Sequence, residues 1–180
     1  MIKKKTSVQT LCLCAFFTAL TAVMAHISIP VEPVPINFIH TSIFTSVALI
    51  GTKYGTLSQV AYILIGAAGV PVFTNFTAGL GILVGPRGGF FAGYIACAII
   101  SGLIINRFGN SVKVLIPAMY AGWAVTYLFG ISWYIFLTNI TLAAALPIVF
   151  FPFLIGDLIK TIAAVILIKR LTPVMVRIKK

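Results

Sequence analysis

Apart from one aspartate and one lysine, the charged residues of this chain sit at the ends of its apolar runs or in the gaps between them. Runs long enough to cross a bilayer as helices, about 20 residues each, leave the chain few other ways to fold. The exception lies in Leu154-Ile-Gly-Asp157-Leu-Ile-Lys160-Thr-Ile-Ala-Ala-Val-Ile-Leu. A carboxylate or an ammonium there costs roughly 2.5–3.5 kcal/mol on insertion scales. At spacing i, i+3 the two share a helical face and can neutralise each other. One reading is a structural ion pair between helices. The other is the polar end of a small-molecule site, with a carboxylate to accept N–H bonds and an ammonium to donate to a carbonyl.

Only 8% of the 180 residues are charged, against about 25% in soluble domains. The length allows about six spans with short loops and predicts a single membrane domain over residues 1–180. The net charge of +11 does not point to nucleic acid, because of where it lies. Lys3, Lys4 and Lys5 precede the first run. Lys169, Arg170, Arg177, Lys179 and Lys180 fall at or beyond the end of the last. Lys53, Arg107 and Lys113 fill gaps between runs. This is a positive-inside pattern, and it predicts an even number of spans with both termini cytoplasmic. The N-terminal lysines also suit a cleaved signal peptide. Ala22-Val-Met-Ala25 is a poor cleavage site, however, and the chain beyond it stays membrane-like.

The apolar pattern places a first span from about Ser7 to Ile29, ended by Pro30, Pro33 and Pro35 in an external loop with Glu32 as a solvated charge. A shorter run covers Phe38 to Ile50. Gly51-Thr-Lys53-Tyr-Gly55 is a tight turn, and a third run covers Leu57 to Val70. A small-residue loop from Val72 to Gly81 follows. The fourth run, Gly89 to Ile105, is entered through Gly85-Pro86-Arg87-Gly88-Gly89. The fifth covers Val114 to Phe129. Residues 130–145 are ambiguous, with Trp133 and Tyr134 read as an interfacial belt and Asn139 as loop. Pro147 opens the sixth run, which continues past Pro152 to Ile168.

Several features invite chemistry. Gly81, Gly85, Gly89 and Gly93 recur every fourth residue, either to pack helices closely or to bring loop backbone around a ligand. Ala15-Phe-Phe-Thr-Ala19 is a small-xxx-small step suited to a partner helix. Arg87 either snorkels to headgroups or binds an anionic group. Tyr94, Trp123 and Tyr127 are packing aromatics or a wall for an apolar ring. His26 and His40 read as interfacial residues, and Cys12, Cys14 and Cys97 as apolar fillers; no metal spacing occurs. No phosphate-binding G-x-x-x-x-G-K-[ST] loop occurs either. With two acids far apart, no catalytic residues are expected.

The blocks Pro33-Val-Pro-Ile36, Gly66-Ala-Ala-Gly-Val-Pro-Val-Phe73, Gly79-Leu-Gly-Ile-Leu-Val-Gly-Pro86-Arg-Gly-Gly-Phe-Phe-Ala-Gly93-Tyr and Gly156-Asp157-Leu-Ile-Lys160 resemble, in this order, the BioY biotin transporters. These are substrate-binding S components of energy-coupling factor (ECF) transporters. The resemblance implies an all-α, six-helix membrane protein that binds biotin near its external face. Its partners would be a transmembrane coupling (T) protein and a pair of ABC ATPases, in the cytoplasmic membrane. Biotin would be cargo, with no cofactor. The resemblance carries the ureido-ring contacts onto Asn75, Asp157 and Lys160 and matches Arg87 to a basic contact near the valerate or ring; Gly79, Gly81 and Tyr94 join the ligand set from the loop and aromatic-wall readings above. It assigns Ala15 and Ala19 to docking on the coupling protein. Two departures stand out: Asn37-Phe-Ile39-His40-Thr41 replaces a Thr-x-Gln-Thr, and Arg87 stands where many members have threonine.

Overall fold

A computed structural model describes residues 8–29 and 34–178. The lysines at 3–5, Glu32 and the prolines at 30 and 33 lie outside the described residues, as do Lys179 and Lys180. The first helix, α1 (Val8–His26), ends three residues before the expected Ile29. The chain instead turns into a two-residue strand β1 (Ser28–Ile29), paired antiparallel with β2 (Ile36–Asn37). The register pairs Ser28 with Asn37 and Ile29 with Ile36.

Helix α2 (Ile39–Ala67) is two arms, 39–50 and 52–67, broken at Gly51 with φ 84° and ψ 164°. That backbone conformation favours glycine. The arms fold back so closely that a β-carbon on Gly55 would lie 2.8 Å from the Val47 Cα. The turn expected at Gly51 is there. It takes one residue rather than five, so the second arm starts before Leu57. Asn106 Nδ2 donates to Thr52 Oγ1 at 2.7 Å and Asn110 Nδ2 to the Ala48 carbonyl at 3.2 Å, tying the turn to the next helices. Buried hydroxyls join α1 to α2: Thr21 Oγ1 and Ser42 Oγ lie 2.9 Å apart, and Thr18 Oγ1 donates to the Ser58 carbonyl at 3.1 Å. In lipid, such contacts and close backbone approach do the work that hydrophobic exclusion does in water.

A loop holds a short helix α3 (Leu80–Val84), where loop alone was expected. Then α4 (Gly88–Phe108) and α5 (Val112–Thr138) pack side by side. Gly93 on α4 meets the backbone of Thr126, and Gly122 on α5 meets Cys97 Sγ. In the expected glycine ladder, Gly89 and Gly93 pack helices, while Gly81 faces open space. Helix α5 outruns its expected end at Phe129 and stops at Asn139, which takes a left-handed cap with φ 55°. Gly130 does not end the helix because it receives the Phe90 ring. Tyr134, expected at the interface, is buried.

The last run is divided. A short α6 (Leu142–Val149) ends at Phe150, a 3₁₀ turn spans Phe151–Phe153, and α7 (Leu154–Ile178) follows. The expectation of one helix opening at Pro147 is therefore corrected: Pro147 lies inside α6. Pro152 forces the break, since it has no N–H and its ring crowds the carbonyl four residues back. The break places Asp157 and Lys160 in the first two turns of α7 rather than mid-helix. Four stretches are long and apolar enough to cross a membrane: Val8–His26, Gly88–Phe108, Val112–Thr138 and Leu142–Met175. With the two arms of α2 they make six long helical segments among the described residues.

Candidate functional site: a buried cavity between α2, α4, α5 and α7

Lys160 Nζ lies 2.7 Å from Asp157 Oδ1, and the residues are only 3% and 5% exposed. Asp157 Oδ2 accepts the hydroxyl proton of Tyr127 on α5. The carboxylate thus has a charged partner and a neutral one, which offsets the cost of burying it. Lys160 Nζ also stands 4.8 Å from the centre of the Trp123 ring, a cation–π contact strengthened where water is scarce. The Trp123 indole is fixed by donating to Thr161 Oγ1 at 3.3 Å.

This group forms the floor of an elongated cavity. The lobe beside Lys160 encloses ≈ 20 Å³, and Asn37, His40, Phe90, Tyr94, Trp123 and Tyr127 are among its walls. A second lobe of ≈ 20 Å³ shares Asn37, Phe90 and Tyr94 and ends at Phe73, Thr74 and Arg87. Each lobe has room for about one water molecule, far below the roughly 300 Å³ at which small-molecule sites begin, so the two lobes form a closed cleft that has to widen around a ligand. The cavity thus has an ammonium at one end, aromatic walls between, and a guanidinium at the other. That arrangement suits an elongated molecule with a carbonyl-bearing head, an apolar middle and an anionic tail.

Lys160, Tyr94 and Arg87, expected from the sequence, line this cavity. Asp157 lies behind Lys160 and Tyr127, one layer removed. Asn75 sits on an exposed turn with φ 60°, where its Oδ1 accepts from Ser28 Oγ at 3.3 Å. Gly79, with φ 94°, donates its N–H to the Gly66 carbonyl at 2.8 Å, and Gly81 is exposed on α3. Neither glycine touches the lobes. Asn37 is instead the asparagine of the cavity: its Nδ2 donates to Thr74 Oγ1 at 3.0 Å and its Oδ1 accepts from the Ile39 N–H at 3.2 Å. His40, read as interfacial, is 5% exposed and stacks on Trp123 at 3.8 Å between ring centroids.

Ala15 and Ala19 are elsewhere. With Ala22, Ala61 and Tyr62 they line an open apolar groove of ≈ 420 Å³ between α1 and the second arm of α2. A larger groove of ≈ 720 Å³ lies against α4 and α5 around Gly88, Ala92 and Trp133. It has no charged lining residue.

The family model of the BioY family matches residues 1–177. The chain belongs to the BioY family. It is similar to the biotin transporter BioY of Thermotoga maritima, 39% identical over 155 residues that cover 86% of this chain and 90% of that protein. It is also similar to the probable biotin transporter BioY of Pyrococcus horikoshii, 34% identical over 88% of this chain and 93% of that one. The crystal structure of the S-component for biotin from an ECF-type ABC transporter superposes with a TM-score of 0.82 at 30% identity, covering 95% and 94% of the two chains. The BioY fold therefore extends over almost the whole chain, and this is a multi-pass membrane protein.

Within this BioY fold, His40 and Asn37 are the cavity residues that the sequence reading missed. A signal was present. His40 opens a run of hydroxyl residues, Thr41, Ser42, Thr45 and Ser46, all buried. Polar residues that persist on a membrane helix mark an interior face.

Proposed function

We propose that this chain binds biotin outside the cell and takes it up as the S component of an ECF-type ABC transporter. The observation that carries this reading is the cavity, with Lys160 at one end and Arg87 at the other. Biotin has a cyclic urea, an apolar thioether ring and a carboxylate tail. Lys160 donates to the urea carbonyl, and Asp157 holds that ammonium in place. Trp123, Phe90 and Tyr94 cover the ring and chain, and the Arg87 fork pairs with the carboxylate. Loop 72–81, which carries Asn75, caps the mouth over the bound ligand. The chain performs no covalent chemistry, holds no metal, and carries biotin as cargo rather than as a cofactor.

Its partners on this reading are a transmembrane coupling protein and ABC ATPases. The exposed alanines of α1 offer the docking groove. Up-and-down tracing puts the Gly51 turn, Arg107, Lys113 and the end of α7 on the side of the N-terminus. That agrees with both termini in the cytoplasm and with biotin entering from the opposite face of the cytoplasmic membrane. ATP hydrolysis by the partners then drives reorientation and release inside.

Labelled-biotin binding to the purified chain, with riboflavin and thiamine as competitors, tests the assignment. Displacement by either competitor, or no biotin binding, rejects it. Ala19→Trp fills the groove without reaching the cavity. It should reduce uptake in cells to background while the Kd for biotin stays within about threefold, a change of under 1 kcal/mol. Loss of binding in that variant would place α1 in support of the cavity instead.

A further inference from the structure

We propose that the face between α5 and α7 holds an anionic diacyl phospholipid, with an acyl chain in a groove and the phosphate on basic residues at its end. The two helices run antiparallel. They meet where Tyr127 donates to Asp157 and where the Trp123 indole donates to Thr161 Oγ1 at 3.3 Å. Beside these contacts and toward Lys113 runs an open groove of ≈ 170 Å³. Ile116 and Tyr120 line it from α5, and Leu158, Ile162, Val165 and Ile166 from α7. All but Val165 are exposed. Thr161, the other lining residue, is buried with its hydroxyl against the Trp123 indole. From Leu158 to Ile166 the groove runs about 12 Å along α7, close to the ~15 Å depth of hydrocarbon in one leaflet.

The charge at the groove's end decides what fills it. The two contact pairs step four residues each way, and that register brings Lys113 level with Leu171, beside Lys169 and Arg170. Lys113 lies one turn before Ile116 on α5, and Lys169 one turn past Ile166 on α7, so both stand on the groove's face. All three basic residues are exposed. Against thirteen basic residues the chain has two acids, and one of them, Asp157, is buried against Lys160. The protein cannot neutralise this end by itself. A lipid phosphate supplies negative charge at the level where the apolar groove stops, and basic clusters at a membrane surface draw anionic headgroups. A zwitterionic lipid would bring a cation of its own. A second copy of this chain, at +11, is a poor match for the same reason.

The test uses the intact chain in detergent, given equimolar phosphatidylglycerol and phosphatidylcholine, with bound lipid counted by native mass spectrometry. One phosphatidylglycerol should be retained about tenfold or more over phosphatidylcholine. Lys113→Gln, Lys169→Gln and Arg170→Gln together should bring the two lipids to parity. Ile162→Trp fills the groove with the charges intact and should lower phosphatidylglycerol retention about tenfold. Lys53→Gln with Arg107→Gln removes positive charge elsewhere and should change nothing. An unchanged melting temperature checks that each variant is folded; the triple glutamine variant alters exposed residues alone and decides the matter if Ile162→Trp does not fold. Equal retention of both lipids by the parent overturns the proposal. So does equal loss in the Lys53 and Arg107 control, which would make the preference a property of the whole basic end. A triple variant that keeps phosphatidylglycerol and loses uptake in cells gives the face to the coupling protein. A dimer that Ile162→Trp dissolves gives it to a second copy, and either result overturns the lipid site.

Discussion

Lys160→Ala is expected to raise the Kd for biotin by about a hundredfold or more, the scale of losing a charged hydrogen bond of up to about 3 kcal/mol. The substitution does more than remove a donor. It leaves the Asp157 carboxylate in a site where it is 5% exposed, with Tyr127 as its remaining recorded partner. Breaking a buried pair on one side costs about 3–5 kcal/mol of stability. The variant should therefore melt at a lower temperature in detergent as well as bind weakly. A companion double substitution separates these effects. Asp157→Leu with Lys160→Met replaces both charges by apolar groups of similar size. It should recover most of the lost melting temperature and none of the binding. If the double variant regained biotin binding, the ion pair would be scaffolding and the head of the ligand would lie elsewhere.

Gly93→Leu is expected to destabilise the bundle strongly. A β-carbon there would stand 3.0 Å from both the Cα and the carbonyl oxygen of Thr126. These are backbone atoms and cannot swing aside, so α4 and α5 must separate. Overpacking of a closed interface costs about 1–3 kcal/mol and rises when backbone must move. The same two helices carry Tyr94, Trp123, Thr126 and Tyr127, so parting them also opens the cavity. Yield of monodisperse protein after extraction should fall sharply. Gly81→Ala is the control from the same four-residue ladder: its added methyl meets nothing within 4 Å, and yield and binding should be unchanged. Equal behaviour of the two variants would mean that α4 and α5 do not touch at Gly93.

The long spans were legible because lipid demands one thing of a sequence, sustained apolarity with charges at its ends. The ends were less so. Gly51 was recognised as a turn, yet its single positive-φ residue lets the second arm restart at once, which periodicity does not reveal. Residues 130–145 read as ambiguous, yet α5 runs on through Gly130, which is a seat for the Phe90 ring. Pro152 proved a true break, while Pro147 lies inside a helix; two prolines five residues apart act oppositely, and only the packing around them decides.

The cavity was half legible. Asp157 and Lys160 announced themselves by their cost in lipid. Whether a costly residue faces a ligand or stands behind one that does depends on a rotation of α7, and the sequence carries no such angle. His40 was undervalued for a related reason. A histidine close to a proline-rich loop looks interfacial until the fold places Trp123 against one face of it. Asn37 and Asn75 differ in the same way. Each follows a break in regular structure, but the β1–β2 ribbon draws the first inward, and the left-handed turn at the second points it outward.

The layered order of Tyr127, Asp157 and Lys160 has an electrical consequence. The cation that meets the cargo brings its own counter-charge, buried beside it. That end of the cavity therefore stays electroneutral whether full or empty, and no proton has to be captured or surrendered as the vitamin arrives or departs. Uphill movement then gains nothing from a proton gradient at that end of the cavity.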